Sequence, residues 1–583
     1  MSLLNEQQFS RISSAVNDLT PAQLAWVGGY LSGLSLGGNG NSNVIPFPQV
    51  QHTPAAAQQA AISTTILYGS QTGNSKGIAQ KLQQELAADG AAVTLKSLKD
   101  YRPQQLKKEQ RVVFVISTHG NGEPPDDARA FFQFINGNRA PKLDNVEFAV
   151  LALGDSSYEE FCLTGALLDK RLEELGGQRW LARTECDVDF AEDAALWRKQ
   201  ILEKVQQDQA DNQPVALNPT AIGSAVQQAV GTQESPYAAE LLGITPVTDV
   251  DSDKDVLHIE FSLEDSGINY QPGDILAVRI SNDPALVDAL LTQTGLDGTE
   301  QVELKGKTFT LRTALQEKLE ITSLTRKQYE KYTGHTDGYH EDADWLDVLK
   351  QQPQTLTAQQ LAELLRPLKA REYSIASSPQ AHQDEVHLLV KRVQYQHNDR
   401  EHQGAGSNWL ARLEAGATAD IYIKPNEHFR LPQQDDTKII MIGAGTGVAP
   451  FRSFIAEREA QGINGNSWLF FGEQHFRTDF LYQAEWLQHL KNGTLEKMSV
   501  AFSRDQAEKI YVQHRLLEEA ADVWHWLEQG AHVYVCGDMH KMAKDVHEAL
   551  LQIAAQQGGK TAEQAEAWLE QLRSDGRYQR DVY

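Results

Sequence analysis

Along this chain the spacing of apolar residues changes period several times, and each change predicts a different kind of structure. Between residues 5 and 35, Phe9, Ile12 and Val16, then Leu24, Trp26, Val27, Tyr30 and Leu31, surround the start signal Leu19-Thr20-Pro21, which predicts two short helices within 1–36. Residues 37–63 turn to Gly, Asn, Gln and Ala with Pro46, Pro48 and Pro54, the composition of a linker. From 64 to 207 short apolar runs at 65–68, 93–98, 112–117 and 146–153 alternate with helical spacings such as Ile78, Leu82 and Leu86 and with segments near 167–175 and 196–205. Such alternation predicts a doubly wound parallel sheet. A second linker, rich in Gln, Asn and Ala, follows at 208–235.

The period then drops to two. Leu257, Ile259, Phe261 and Leu263 alternate with His258, Glu260, Ser262 and Glu264 ahead of the turn Gln271-Pro272-Gly273-Asp274, which predicts an antiparallel barrel over 236–435 with one face buried. Residues 284–368, including Leu361, Leu364, Leu365 and Leu368, read as a helical insertion before strands resume at Arg371. From 436 to 583 strand and helix alternate again, through 439–442, 468–471, 498–502 and 533–536. The fold class is therefore multidomain α/β plus β-barrel: one doubly wound domain, a barrel with a helical insertion, and a closing parallel α/β domain.

Composition narrows the partners. A chain of 583 residues with 41% hydrophobic and 23% charged content exceeds a single core and divides into domains. Its 53 Lys and Arg against 79 Asp and Glu, a net charge of -26, repel nucleic acid and anionic lipid and attract a macromolecule with a basic face. Cys162, Cys186 and Cys536 are too few and too scattered for a disulfide framework or a zinc or iron-sulfur ligand set, so no metal is expected. No apolar run approaches the ~20 residues that span a bilayer, and a cytoplasmic protein without a membrane anchor is expected.

Three loops at the ends of predicted strands are rich in small and hydroxyl residues: Gly69-Ser70-Gln71-Thr72-Gly73-Asn74, Ser117-Thr118-His119-Gly120-Asn121-Gly122-Glu123 and Leu153-Gly154-Asp155-Ser156-Ser157-Tyr158. In a sheet of order 2-1-3-4-5 the three strands are neighbours at the switch point, so their loops share one crevice. Free backbone N–H groups of the first loop, with the Ser70 and Thr72 hydroxyls, suit a phosphate at a helix start. Tyr158 has the planar ring to cover a flavin. This segment resembles the flavodoxin-like domain of the diflavin reductase family, which implies FMN and extends its site to Ser75, Glu159, Glu160, Phe161 and Cys162.

Arg371-Glu372-Tyr373-Ser374 resembles the Arg-x-Tyr-Ser strand of the ferredoxin-NADP reductase family, where alternate residues on one face address one ligand. The resemblance implies FAD, with Arg371 at its pyrophosphate, Tyr373 on its ring face and Ser374 near N5. Gly404-Ala405-Gly406-Ser407, before a predicted helix, resembles the family's pyrophosphate turn, and Tyr395 stands where support for the adenine half is expected. The same carry-over includes Thr322, Leu389, Val390 and Lys391. Ile442-Gly443-Ala444-Gly445-Thr446-Gly447 joins a strand to a helix, and its glycines permit close approach to a dinucleotide phosphate. Ser503, Arg504, Lys509 and Tyr511 combine hydroxyls with cations where the family binds the 2'-phosphate, favouring NADPH; Ile510, Val512, Gln513 and Asp545 join by the same resemblance. Cys536-Gly537-Asp538 resembles the turn that sets a thiol beside the nicotinamide, and Asp581 and Tyr583 stand where the family carries an acid and a terminal aromatic that stacks on FAD.

The resemblance covers almost the whole chain. Asp18-Leu19-Thr20-Pro21-Ala22-Gln23-Leu24-Ala25-Trp26 makes it closest to the sulfite reductase family. It implies electron flow from NADPH to FAD to FMN and on to a hemoprotein subunit bearing siroheme and an iron-sulfur cluster, for six-electron reduction of sulfite to sulfide in cysteine biosynthesis. It also implies homo-oligomers through the N-terminal part, and it gives Ser374, Cys536, Asp581 and Tyr583 the catalytic roles, Tyr583 as a gate over the flavin. Two alternatives stand beside it: a general donor to P450 or another heme protein, and an oligomerisation scaffold with lapsed flavin sites.

Overall fold

The computed structural model describes residues 62–71, 73–120, 122–137, 139–156, 158, 160–188, 190–210 and 231–583. The predicted N-terminal helices and most of both predicted linkers lie outside these residues, as do Thr72, Asn121, Ser157 and Glu159.

Short β-branched and aromatic runs form the central strands of the first sheet, which helices bury on both faces, while its outer strands are partly or fully exposed. Its strands are β1 (Thr64–Gly69), β2 (Val93–Ser97), β3 (Arg111–Ser117), β4 (Glu147–Leu153) and β5 (Gln178–Arg179), hydrogen-bonded in the order β2-β1-β3-β4-β5 with β6 (Thr184–Cys186) also on β4. All pairings are parallel. The predicted order 2-1-3-4-5 is observed. Ile66, Val113, Val115, Ala149 and Leu151 pack one face against Ile78, Leu82, Leu86, Trp197 and Ile201, while Leu67, Phe114, Ile116 and Val150 pack the other against Phe131, Ile135 and Leu168.

The barrel forms a six-stranded antiparallel sheet of Arg371–Ser374, Ile275–Val278, Thr418–Lys424, Tyr237–Pro246, Val256–Ser262 and Glu385–Lys391, in that order. Period two predicted His258 on the outer face, yet His258 is buried. The outer face is covered by the last domain, whose Tyr482 hydroxyl meets His258 Nδ1 at 2.8 Å. The insertion carries the predicted helices at Pro284–Thr294, Leu311–Glu317, Arg326–Thr333, Trp345–Gln351 and Ala358–Leu364, and also a hairpin, Gln301–Leu304 with Lys307–Thr310. Lys305 and Gly306 at its turn both have positive φ, 46° and 73°, a turn geometry suited to a two-residue hairpin.

The closing sheet is parallel, in the order Lys497–Phe502, Ser467–Glu473, Ile439–Ala444, His532–Gly537 and Tyr578–Val582. The last strand was not anticipated from the sequence. It places Asp581 opposite Cys536 and Val582 opposite Gly537, so the chain end is held as a sheet edge. Among the described residues no helix is long and apolar enough to cross a membrane.

Candidate active site

The loops after β1, β3 and β4 meet at one end of the first sheet. Asn74, Ser117, Thr118, Leu153, Gly154 and Tyr158 line one cleft of about 510 Å³, and Lys369, Arg371 and Tyr583 from the other domains close it. Ser70 Oγ in the loop after β1 and Ser75 Oγ in the helix that follows are buried without a hydrogen-bond partner, a cost of about 1–3 kcal/mol for each group unless a ligand oxygen completes it. Gly73 sits at φ 83° with open space on its Cβ side. Two orphaned hydroxyls beside an unobstructed helix start fit a phosphate.

One detail departs from expectation. The Ser70 N–H is not free: it donates to both oxygens of Asp127 at 3.0 Å. Burial pushes the Asp127 carboxyl up to about 7, against the pull of that backbone bond. Its neighbour Asp126 accepts from Gln71 Nε2 at 3.4 Å, and its backbone N–H donates to Gln71 Oε1 at 3.0 Å. Neither acid carried a signal beyond Pro124-Pro125 turn chemistry. Asp155, Ser156 and Asp187 are tied to the barrel side: Lys369 Nζ lies 2.6 Å from Asp155 and 2.8 Å from Asp187, which also accepts from the Ser156 hydroxyl. Cys162, at φ 54°, backs the third loop so closely that a Cβ on Gly154 would lie 2.7 Å from its nitrogen. Phe161 would meet the same Cβ at 3.0 Å. His119 and Glu160 line a smaller cleft of about 190 Å³ with Gly120, Tyr158 and Tyr583. Burial lowers the His119 pKa, and Arg580 and Arg573 push it the same way.

On the barrel, Arg371 and Tyr373 share a face as their spacing requires. A Cβ on Gly406 would stand 2.5 Å from Arg371 Cγ and 3.1 Å from the Tyr373 hydroxyl, so the Gly404–Ser407 turn closes directly on this strand. Arg371 Nη2 pairs with Glu320 at 2.6 Å, and Glu320 accepts from the Thr322 hydroxyl at 2.6 Å and its N–H at 2.8 Å. Burial alone would raise the Glu320 carboxyl; Arg371 and Thr322 outweigh it and hold it low. Ser407 Oγ accepts from the Val393 N–H at 3.0 Å, leaving its proton to donate, while Ala405 begins the helix behind it. Glu372, between Arg371 and Tyr373, pairs with Lys424 at 2.5 Å and also lines the first cleft. Tyr395 stacks on His402 with ring centres 5.1 Å apart. Leu389, Val390 and Lys391 join Glu372, Tyr373, Ser374 and Thr446 around a second cleft of about 510 Å³, which Gln71 and His119 also reach.

The residues expected at the nicotinamide converge. Ser374 Oγ donates to Asp581 Oδ2 at 2.6 Å, and Cys536 Sγ lies 3.9 Å from the same oxygen. Burial raises the Asp581 carboxyl, and it raises the Cys536 thiol well above its usual range with Asp581 adding to the effect. The Tyr583 hydroxyl lies 3.1 Å from Thr446 Oγ1, and Tyr583 lines both of these clefts of about 510 Å³. The glycine turn after Ile439–Ala444 does different work from that expected at two positions. A Cβ on Gly447 would lie 2.2 Å from the Cys536 carbonyl and one on Gly443 2.8 Å from Phe451. Those two glycines let protein pack on protein; Gly445, at φ 56°, faces more open space.

Ser503, Arg504, Lys509, Ile510 and Tyr511 follow the edge strand Lys497–Phe502 and lead into the helix Val512–Glu518. Arg504, Lys509 and Tyr511 are exposed, and among the described residues neither cation has a carboxylate partner. Gln513 Nε2 donates to Asp545 at 2.9 Å. Two unpaired cations beside hydroxyls fit a phosphate monoester.

Family models match in three places: flavodoxin over 66–197, an FAD binding domain over 231–332 and 335–409, and an oxidoreductase NAD-binding domain over 441–548. Proteins named sulfite reductase (NADPH) flavoprotein alpha-component from Aliivibrio fischeri, Vibrio cholerae serotype O1 and Photobacterium profundum are 45%, 45% and 44% identical to this chain. The alignments cover 100% of it and 98%, 96% and 98% of those proteins. With three domain models in this order and likeness from end to end, the chain belongs to the sulfite reductase (NADPH) flavoprotein alpha-component family.

Proposed function

We propose that this chain is the NADPH-oxidising flavoprotein of a cytoplasmic sulfite reductase. It takes FMN in the cleft over the first sheet, FAD in the cleft at the Arg371–Ser374 strand and NADPH beside Cys536 and Arg504, and it delivers electrons to a hemoprotein partner that reduces sulfite to sulfide. The corresponding domains are 64–207, 236–435 with its insertion at 284–368, and 436–583, and the N-terminal segment at 1–36 serves homo-oligomer assembly. The observation that carries the reading is the meeting of Ser374, Cys536 and Asp581 at one carboxylate oxygen, beneath a terminal Tyr583 that reaches both clefts.

When bound, FAD supplies two-electron acceptance from NADPH and FMN supplies single-electron release. The chain's own residues set the geometry. The raised Cys536 thiol keeps its proton, so its S–H donates toward Asp581 Oδ2 as Ser374 does, and the carboxyl holds both side chains at the edge of the cleft. Tyr583, anchored by backbone bonds between its N–H and Gly537 and between its carbonyl and Met539, 3.1 Å each, covers that cleft and excludes water until it swings aside. Lys369, bridging Asp155 and Asp187, holds the first sheet's crevice against the barrel. The test is NADPH-driven sulfide formation after adding the hemoprotein. Sulfide should appear only with both proteins present; reduction of P450 or another heme acceptor in preference to the hemoprotein would move the assignment to a general diflavin donor.

A further inference from the structure

Among the described residues, three groups of histidine and carboxylate side chains bring their donor atoms within 4.8 Å of one another, and they differ in what already holds the centre. In the first, His258 Nδ1 is 2.8 Å from Tyr482 and Nε2 3.1 Å from Glu260, while His387 meets Glu385 at 2.8 Å and Arg452 Nη1 at 3.3 Å. Every ring nitrogen is engaged, and Arg452 is a resident cation that repels another. In the second, Asp344, Asp347 and His402 are buried around Arg400, whose Nη2 is 2.5 Å from Asp344, 3.1 Å from Asp347 and 2.7 Å from His402 Nε2. The guanidinium takes the place an ion would need. The third group, His340, Asp342 and His397, has among the described residues no Lys or Arg paired with its carboxylate; the His340 and Asp342 side chains are 55% and 53% exposed and His397 is half-buried.

We propose that His340, Asp342 and His397 form a surface site for a divalent transition ion of the zinc and nickel class. Two imidazoles and one carboxylate suit such borderline ions better than magnesium or calcium. The two rings stand 4.5 Å apart at 32°. Two imidazoles bound tetrahedrally, with nitrogens about 2.1 Å from the ion, have ring centres roughly 5 Å apart, so the rings must part slightly as their nitrogens converge. Tetrahedral donors lie roughly 3.4 Å from each other, so the cluster must tighten by roughly 1 Å, a shift that exposed side-chain rotamers allow. His340 Nδ1 now accepts the Asp342 backbone N–H at 3.2 Å; on an exposed residue, water replaces that bond if this nitrogen turns to the ion.

The ligands come from two elements, which gives the site a consequence. His340 and Asp342 precede the insertion helix Trp345–Gln351, and His397 ends the strand Gln394–His397 at the tip of the hairpin closed by Arg400–Gln403. The hairpin already leans on that loop: the Tyr395 hydroxyl donates to the Asp342 carbonyl at 3.2 Å, and His397 lies edge-on to His402, 5.6 Å between centres. An ion held by both sides staples the hairpin to the insertion, just ahead of the Gly404–Ser407 turn.

The test uses the full-length, tag-free chain and zinc as probe, titrated in competition with a chromophoric chelator. His340→Gln and His397→Gln are compared with the parent and with His475→Gln, a change at another exposed histidine-carboxylate pair. Zinc affinity should fall at least ~10-fold in both cluster variants, with one bound ion lost, and stay unchanged in His475→Gln. Zinc should also slow hydrogen exchange of amides 394–403 in the parent and not in His397→Gln, and magnesium should do neither. Without zinc, His340→Gln should melt as the parent does because that side chain is exposed, and the melting of His397→Gln, at a half-buried ring, is measured beside it so that a lost fold is told from a lost site. Equal zinc stoichiometry and affinity in the parent and His397→Gln, or no zinc bound by the parent, would overturn the site. Binding lost in both variants with hairpin exchange indifferent to zinc would overturn the staple.

Discussion

In the crevice over the first parallel sheet, each hydroxyl comes from a loop that leaves the end of its own strand. In the cleft near the chain's end, Ser374 and Asp581 are 207 residues apart and Cys536 and Asp581 are 45 apart, and only the pairing of the last strand beside His532–Gly537 brings them together. The two also differ in electrostatic finish. The crevice leaves Ser70 and Ser75 hydroxyls unpartnered, whereas the barrel side pairs Arg371 with Glu320 and surrounds Asp581 with donors. A site built from local loops can form with its sheet; a site built by tertiary pairing depends on the whole reductase body. Damage should therefore separate the two.

The largest separation is expected at Arg371→Ala. It leaves the buried Glu320 without its cation, which costs on the order of 3–5 kcal/mol. Urea should release FAD at a markedly lower concentration while FMN release is unchanged, and Arg371→Lys should recover part of the loss; parallel loss of both flavins would show that the halves are not independent. Next comes Asp127, whose carboxyl is raised from 3.8 to about 7 by burial. Below the unfolded pKa both states are protonated and nothing is lost. As pH rises from about 4 to 7 the unfolded chain ionises first, so the fold loses up to ~4 kcal/mol. Asp127→Asn, which can still accept from Ser70 N–H, should flatten that slope in the crevice domain alone; a pH-stability curve identical to the parent's would contradict the assignment.

Arg504→Ala should reduce NADPH efficiency by the ~1.5–3 kcal/mol of a charged hydrogen bond and spare NADH, as read by kcat/KM for each nucleotide; equal losses would point to misfolding. The smallest effect is expected where the halves touch. Lys369→Met removes the pairs to Asp155 and Asp187, worth about 1 kcal/mol or less, and should raise the fraction of chains with the first domain undocked at low salt while the difference fades at high salt. A salt-independent change would mean that those pairs do not hold the contact.

The same division explains what the sequence revealed. The crevice was legible because strand, loop and helix are contiguous: Gly69 to Asn74 and Leu153 to Tyr158 announce themselves by composition. The strand order followed because four short apolar runs with helical crossovers leave few topologies. The last strand, Tyr578–Val582, was not legible, since Gln579, Arg580 and Asp581 show neither alternation nor a buried run, and its position comes from pairing at a sheet edge. His258 was misplaced for the same kind of reason, as a period of two cannot see a second domain on the polar face. Glu320 and Asp127 carried no motif. Their roles come from one half-buried arginine and one backbone N–H, both supplied by distant segments.

Everything rests on two different flavins seated in one chain, one in each cleft. The most direct measurement is chromatography of the flavins released from freshly purified, undegraded full-length protein. FMN and FAD in equal amounts is the predicted result; recovery of a single kind, with reconstitution unable to install the other, would contradict it.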